Sequence, residues 1–314
     1  MIEASNLTKT YGSRRAIDGV SFSVGEGELV GLLGLNGAGK TTLMDMLAGC
    51  SGPTGGSVII GGYNMAEKPL EAKRLIGYLP ETIEYYNEMR VGEYLDYICG
   101  LKGIKRRRGG EAGTGLVGIS SAGAGLVGKG SAGAKKEKRD SDNETRRTGD
   151  THINVEKCED PVARVCARVG LAGMERRMIR NLSKGYKQRV GFAQALLGDP
   201  KAVLLDEPTV GLDPSQLTET RALIKDLART GAVIISSHIL AEIQYICDRA
   251  IVLIDGKLAA DIELQGLKSL KNNVGAADST RGINAVNIGS ATGSDLESLF
   301  LDLVRRQGER RVDI

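Results

Sequence analysis

Apolar residues in the first third of the chain come in short runs broken by glycine, the pattern of strands joined by tight turns. Residues 20–24 and 28–34 are two such runs, divided by Gly25-Glu26-Gly27. Residues 40–49, KTTLMDMLAG, are good helix formers closed by a glycine. A turn at Gly52-Pro53-Thr54-Gly55-Gly56 precedes a strand over 57–61, and a further strand follows over 75–79. Val91–Leu101 sets Val91, Tyr94, Leu95, Ile98 and Leu101 at helical spacing.

The pattern resumes after position 160. Residues 162–169 predict a helix stopped by Gly170. A short polar turn, LSKGYKQR, leads into a helix over 187–197. Residues 201–205 and 232–236 are unbroken apolar runs, as strands buried on both faces should be. Helices are expected over 217–230 and 239–247. Asp255-Gly256 reads as a hairpin turn between strands at 250–254 and 257–260. At 294–306 an N-cap Ser294, an acidic first turn and a stripe of Leu296, Leu299, Phe300 and Leu303 predict a terminal helix.

Between these blocks the composition changes. Residues 103–150 run through basic clusters, Gly/Ala/Ser repeats and a polar end, with GLVG at Gly115 and again at Gly125. Such a stretch cannot bury enough apolar surface to offset its ordering entropy, so it reads as a flexible insertion. Lengthening a loop from about six to about fifty residues costs only roughly 2 kcal/mol, which a fold tolerates. The expected organisation is an α/β domain over 1–102 and 151–262, with a helical part at about 82–200. An extension over 263–314 follows.

The remaining bulk properties narrow the partners. A 41% hydrophobic fraction with 4% aromatics and no Trp implies an aliphatic core. The net charge of +3 favours neither nucleic acid nor a membrane surface. Cys50, Cys99, Cys158, Cys166 and Cys247 lack CxxC spacing and read as reduced thiols. No secretory pattern opens the chain, and no apolar run reaches the roughly 20 residues that span a bilayer.

Chemistry enters at Gly34-Leu35-Asn36-Gly37-Ala38-Gly39-Lys40-Thr41. This GxxxxGKT pattern between a buried strand and a helix is a phosphate-binding P-loop. Its backbone N–H groups and the helix N-terminus cradle phosphate oxygens. Lys40 supplies a compact charge, and the Thr41 hydroxyl suits Mg2+. Tyr11, upstream, can stack on a purine. Downstream, the apolar run VLL ends in Asp206-Glu207, which can place one carboxylate on a metal ion and the other on a water. His238 follows the run AVIISS; a lone histidine there is more often structural than catalytic.

Taken together, these segments resemble the ATP-binding subunit of ABC transporters over residues 1–102 and about 155–262. The resemblance makes Gly34 to Thr42 the Walker A motif, Tyr11 the adenine platform and Glu81 the Q-loop position. It makes Leu182-Ser183-Lys184-Gly185-Tyr186 the signature, Val203 to Asp206 the Walker B strand and Glu207 the catalytic carboxylate. Gly211-Leu212-Asp213 becomes the D-loop and His238 the switch histidine. The fold implied is the P-loop NTPase of ABC ATPases: a RecA-like core, an antiparallel β subdomain and an α-helical subdomain. GYLPE and LESLFLDLV further resemble ABC-2-type exporter ATPases of the gliding-motility and copper-site-assembly group.

Three positions depart from the family pattern. Glu81 stands where glutamine is usual, Lys184 where the first signature glycine is usual, and Gly211 where the D-loop serine is usual. The resemblance implies ATP and Mg2+ as ligands, with Thr41, Asp206 and Glu81 around the metal. It also implies a head-to-tail pair of subunits, with Ser183, Gly185 and Asp213 serving the nucleotide of the second copy. The permease partner would be an integral membrane protein contacting residues near 81–88, with Tyr85 and Tyr86 as exposed anchors. The chain would then be a peripheral subunit on the cytoplasmic face. The alternative is a soluble ABC-type ATPase acting on ribosomes or nucleic acid; the single cassette and the absence of heptads in the insertion disfavour it.

Overall fold

The computed structural model describes residues 1–105, 160–264 and 296–312. Two sheets organise them. The first is antiparallel and four-stranded: β1 (Ile2–Tyr11) pairs with β2 (Arg14–Val24) on one side and with β4 (Gly55–Ile60) on the other, and β5 (Tyr63–Asn64) extends β4. The second has six strands in the spatial order β10 (Lys257–Glu263), β9 (Arg249–Ile254), β3 (Leu29–Leu33), β8 (Ala232–Ser236), β7 (Ala202–Asp206) and β6 (Ile76–Leu79). Every neighbouring pair in it is parallel except β10 with β9.

The helices are α1 (Lys40–Leu47), α2 (Pro69–Arg74), α3 (Val91–Leu101), α4 (Pro161–Arg168), α5 (Lys184–Leu196), α6 (Pro214–Ala228), α7 (Leu240–Ile246) and α8 (Leu296–Val312). The continuous apolar runs have a simple cause. Leu29, Leu33, Val203, Leu205, Val233 and Ile235 join a cluster with α3, α4, α5 and α7. Val30, Leu32, Ala202, Leu204, Ala232 and Ile234 join the opposite cluster with α1 and the antiparallel sheet. Alternate residues therefore feed two cores, so no position on these strands faces water. On α8, Leu296 and Phe300 are buried in the first cluster, and the helix packs on α7.

Three features differ from the expectation. β1 is a ten-residue strand that the apolar pattern did not announce. Its alternation breaks at Asn6, which takes φ 49° within a register shift between Ala4 and Leu7. Helix α5 begins at Lys184, so most of LSKGYKQR is helix rather than turn; the Ser183 hydroxyl caps it by accepting the Tyr186 N–H. The short helix α2 lies where no element was expected. The bulk of the 103–150 insertion and the Ser294 cap lie outside the described residues.

Candidate active site

Parallel pairing puts the carboxyl ends of β3, β6, β7 and β8 on one edge, where open α/β sheets bind ligands. From β3 the chain turns through residues 34–39 into α1. Gly39 takes φ 103°, and a Cβ there would lie 2.8 Å from the Ala16 carbonyl oxygen. Only glycine fits this turn. It lets α1 present its N-terminus, with its positive partial charge, to the cleft. Lys40 is buried along its stem, and its Nζ donates to the Gly34 carbonyl at 2.8 Å.

Asp206 ends β7 and is 1% exposed. Its Oδ1 accepts from the Ser236 hydroxyl on the adjacent strand β8. Its Oδ2 is buried and has no hydrogen-bond partner among the described residues. Glu207 takes a left-handed φ of 49°, and its N–H donates to the Ser236 Oγ at 3.0 Å. That turn aims its carboxylate at His238, whose Nδ1 lies 2.9 Å from Glu207 Oε2. The Glu207 side chain is nearly buried and the His238 ring is exposed.

These groups wall a cleft of about 680 Å³. Tyr11, Asn36, Gly37, Gly39, Lys40, Thr41, Thr42, Glu81, Asp206, Glu207 and His238 all line it. Gly34 and Leu35 line a smaller adjoining cavity with Ser237, His238 and Phe300, and Ala38 is buried behind the loop. Ser183, Gly185 and Asp213 do not reach the cleft. Ser183 caps α5, and Gly185 is buried in the first turn of that helix. Asp213 caps α6 by accepting from the Gln216 N–H at 2.9 Å and the Ser215 hydroxyl at 2.8 Å. Those bonds hold its carboxyl below the usual carboxylate range.

Sequence reasoning missed Arg14 and Ser236. Arg14 lines the cleft beside Tyr11; in sequence it belongs to a basic pair in a hairpin and reads as surface charge. Ser236 binds both Asp206 and Glu207. Its signal was a hydroxyl ending an otherwise apolar run. Tyr85 is also misplaced by the expectation. It is half-buried, its hydroxyl donates to the Lys187 carbonyl at 2.7 Å, and its ring meets Tyr94 edge-on. Burial pushes its phenol up. Tyr86 is exposed.

No group of three or more His, Cys, Asp or Glu side chains among the described residues forms a metal cage. Mg2+ does not need one, since it keeps waters and takes one or two protein oxygens beside substrate phosphates. The unpartnered Asp206 Oδ2, the Thr41 hydroxyl and the Glu81 carboxylate on the same cleft fit that pattern.

The sequence and the fold have parallels among known proteins. The family profile described as ABC transporter matches residues 17–210. The chain is 33% identical over 268 residues to an uncharacterized ABC transporter ATP-binding protein, YxlF, of Bacillus subtilis, covering 85% of this chain and 72% of that one. It is 32% identical to the bacitracin transport ATP-binding protein BcrA of Bacillus licheniformis, covering 85% and 71%. Among solved structures, an ATP-binding subunit of an ABC transporter superposes with a TM-score of 0.67 at 23% identity, over 97% of this chain and 99% of that one. The protein belongs to the ABC transporter family and is one of its ATP-binding subunits, an ABC ATPase.

Proposed function

We propose that this chain powers an ABC exporter by closing as a head-to-tail dimer on ATP and reopening after hydrolysis. One observation carries the reading. The cleft gathers Lys40, Thr41, Asp206, Glu207 and His238, while Ser183 and Gly185 lie on a different helix end and outside that cleft. One chain thus holds one half of each of two composite sites, and a second copy supplies the other half.

Each residue has a chemical task. Tyr11 stacks on the base, with Arg14 beside it. The backbone of residues 36–39 and Lys40 bind the β- and γ-phosphates. Thr41, Asp206 and Glu81 would hold Mg2+, which when bound would supply neutralising charge for the transferring phosphoryl group. Glu207 orients and polarises the attacking water. His238 fixes the Glu207 carboxylate and faces the γ-phosphate from the exposed side of the cleft.

A transport role is supported by relatives named for bacitracin transport and lantibiotic transport; the outward direction is part of the proposal. No helix among the described residues is long and apolar enough to cross a membrane, and in this reading an integral permease supplies the path. We place the chain on the cytoplasmic face, with exposed Tyr86 and the 81–88 segment toward the permease. No nucleic acid is required. The test is affinity purification of the tagged chain from detergent-solubilised membranes. Recovery of a polytopic integral protein in stoichiometric amount supports the reading. Recovery with ribosomes or nucleic acid and no integral protein contradicts it.

A further inference from the structure

A buried carboxylate beneath the cleft is not used by the chemistry above. Glu242, on α7, is 2% exposed. Its Oε2 accepts from the Thr209 hydroxyl at 2.7 Å and from the Ser237 hydroxyl at 3.4 Å. Thr209 lies two residues after Glu207, and Ser237 directly precedes His238. Ser237 Oγ in turn accepts the Ile239 N–H at 3.0 Å, which closes the turn carrying His238. A single carboxylate oxygen therefore gathers the two chain segments that deliver the Glu207–His238 contact.

The other oxygen faces α6. Glu242 Oε1 stands 3.6 Å from Arg221 Nε, and both atoms are buried without a hydrogen bond among the described residues. Arg221 also stacks over Tyr245, which sits on α7 with Glu242. Helix α6 starts at Pro214, and its cap Asp213 belongs to the loop that follows Glu207. Oε1 has an ion pair but no hydrogen bond, so the burial of this carboxylate is only partly compensated, whereas apolar residues replacing the whole Glu242–Arg221 pair could pack at lower cost. Packing alone does not account for Glu242.

Resting on the ATPase reading, we infer that Glu242 is a positioning residue: it sets the Glu207–His238 pair through Thr209 and Ser237, and Arg221 links that setting to the placement of α6. A small approach of α6 to α7 converts the 3.6 Å gap into a hydrogen bond.

The test uses Glu242→Gln, Thr209→Val and Thr209→Ser in the full chain. With two histidines in the sequence, His152 and His238, the imidazole signals in a nitrogen–proton correlation spectrum are assigned by one His152→Gln control. Glu242→Gln and Thr209→Val are expected to shift the His238 signals and to lower kcat about tenfold or more, with KM for ATP within about twofold. Thr209→Ser, which keeps the hydroxyl, should restore both. Unmoved His238 signals overturn the inference, as does an unchanged kcat in the two disruptive variants. If Glu242→Gln does not fold, Thr209→Val against Thr209→Ser decides. A wild-type chain without Glu207-dependent ATPase activity would sink the reading of the cleft instead, and the spectra would still show whether Glu242 sets His238.

Discussion

Lys184 lies across Gly211 so closely that a Cβ built on Gly211 would sit 2.0 Å from its Nζ and 2.9 Å from its Cε. Two departures from the family pattern thus touch: the lysine of the signature occupies the space over the glycine of the D-loop. Gly211 also takes φ 73°, a conformation costly for any residue with a Cβ.

These two causes can be separated. Gly211→Ser is expected to destabilise the chain by about 1–2 kcal/mol through its backbone conformation. The clash is minor by comparison, because the Lys184 end is exposed and can swing away. A double-mutant cycle with Lys184→Ala in urea should give a coupling under about 0.5 kcal/mol. A coupling well above 1 kcal/mol would show that the lysine is held in place over the glycine.

Glu81 gives a second prediction. It lines the cleft with Thr41 and Asp206. Glu81→Ala should raise the Mg2+ concentration needed for half-maximal ATPase activity by about tenfold. Glu81→Gln, which keeps an oxygen ligand without the charge, should shift it less. Titration of activity against Mg2+ checks both, and coincident curves for wild type and Glu81→Ala would remove Glu81 from the metal.

Lys102 gives a third. Its ammonium donates to the carbonyls of Gln194 (2.9 Å), Ala195 (3.3 Å) and Leu197 (2.9 Å), closing the C-terminal end of α5. Burial pushes its pKa down to about 8 from 10.5. The folded chain therefore gives up this proton before the unfolded chain does. Between these values the unfolded state binds more protons, so Lys102 adds stability as pH rises. Urea midpoints of wild type relative to Lys102→Met should improve from about pH 7 to about pH 9.5. A constant difference would mean that the three carbonyls keep the ammonium charged.

The parts of this site written in one contiguous stretch were legible from sequence. The P-loop carries its glycines, Lys40 and Thr41 within one strand–loop–helix, and the local pattern dictates the local shape. Asp206 and Glu207 were legible because a buried strand has few reasons to end in two acids. Contacts made across the sheet were not. The Glu207–His238 pair depends on β7 and β8 being neighbours in register, with Asp206 opposite Ser236. The Glu242 network spans three segments that no periodicity links. β1 was hidden because one left-handed residue, Asn6, moves its apolar positions out of alternation. The start of α5 was hidden because a serine cap followed by Lys and Gly reads equally as a turn.

Loss of the Glu207 carboxylate with the cleft otherwise intact should lower turnover about 10²–10³-fold, as removal of one positioned catalytic group does. Binding of ATP should survive. That separation makes the Glu207→Gln chain the sharpest probe of the whole account. Its mass in solution, measured by sedimentation velocity with and without ATP and Mg2+, is the decisive quantity. The account predicts a monomer alone and a species of twice that mass with both ligands present, reverting when Mg2+ and ATP are removed. A chain that binds ATP yet stays monomeric at every concentration would contradict it.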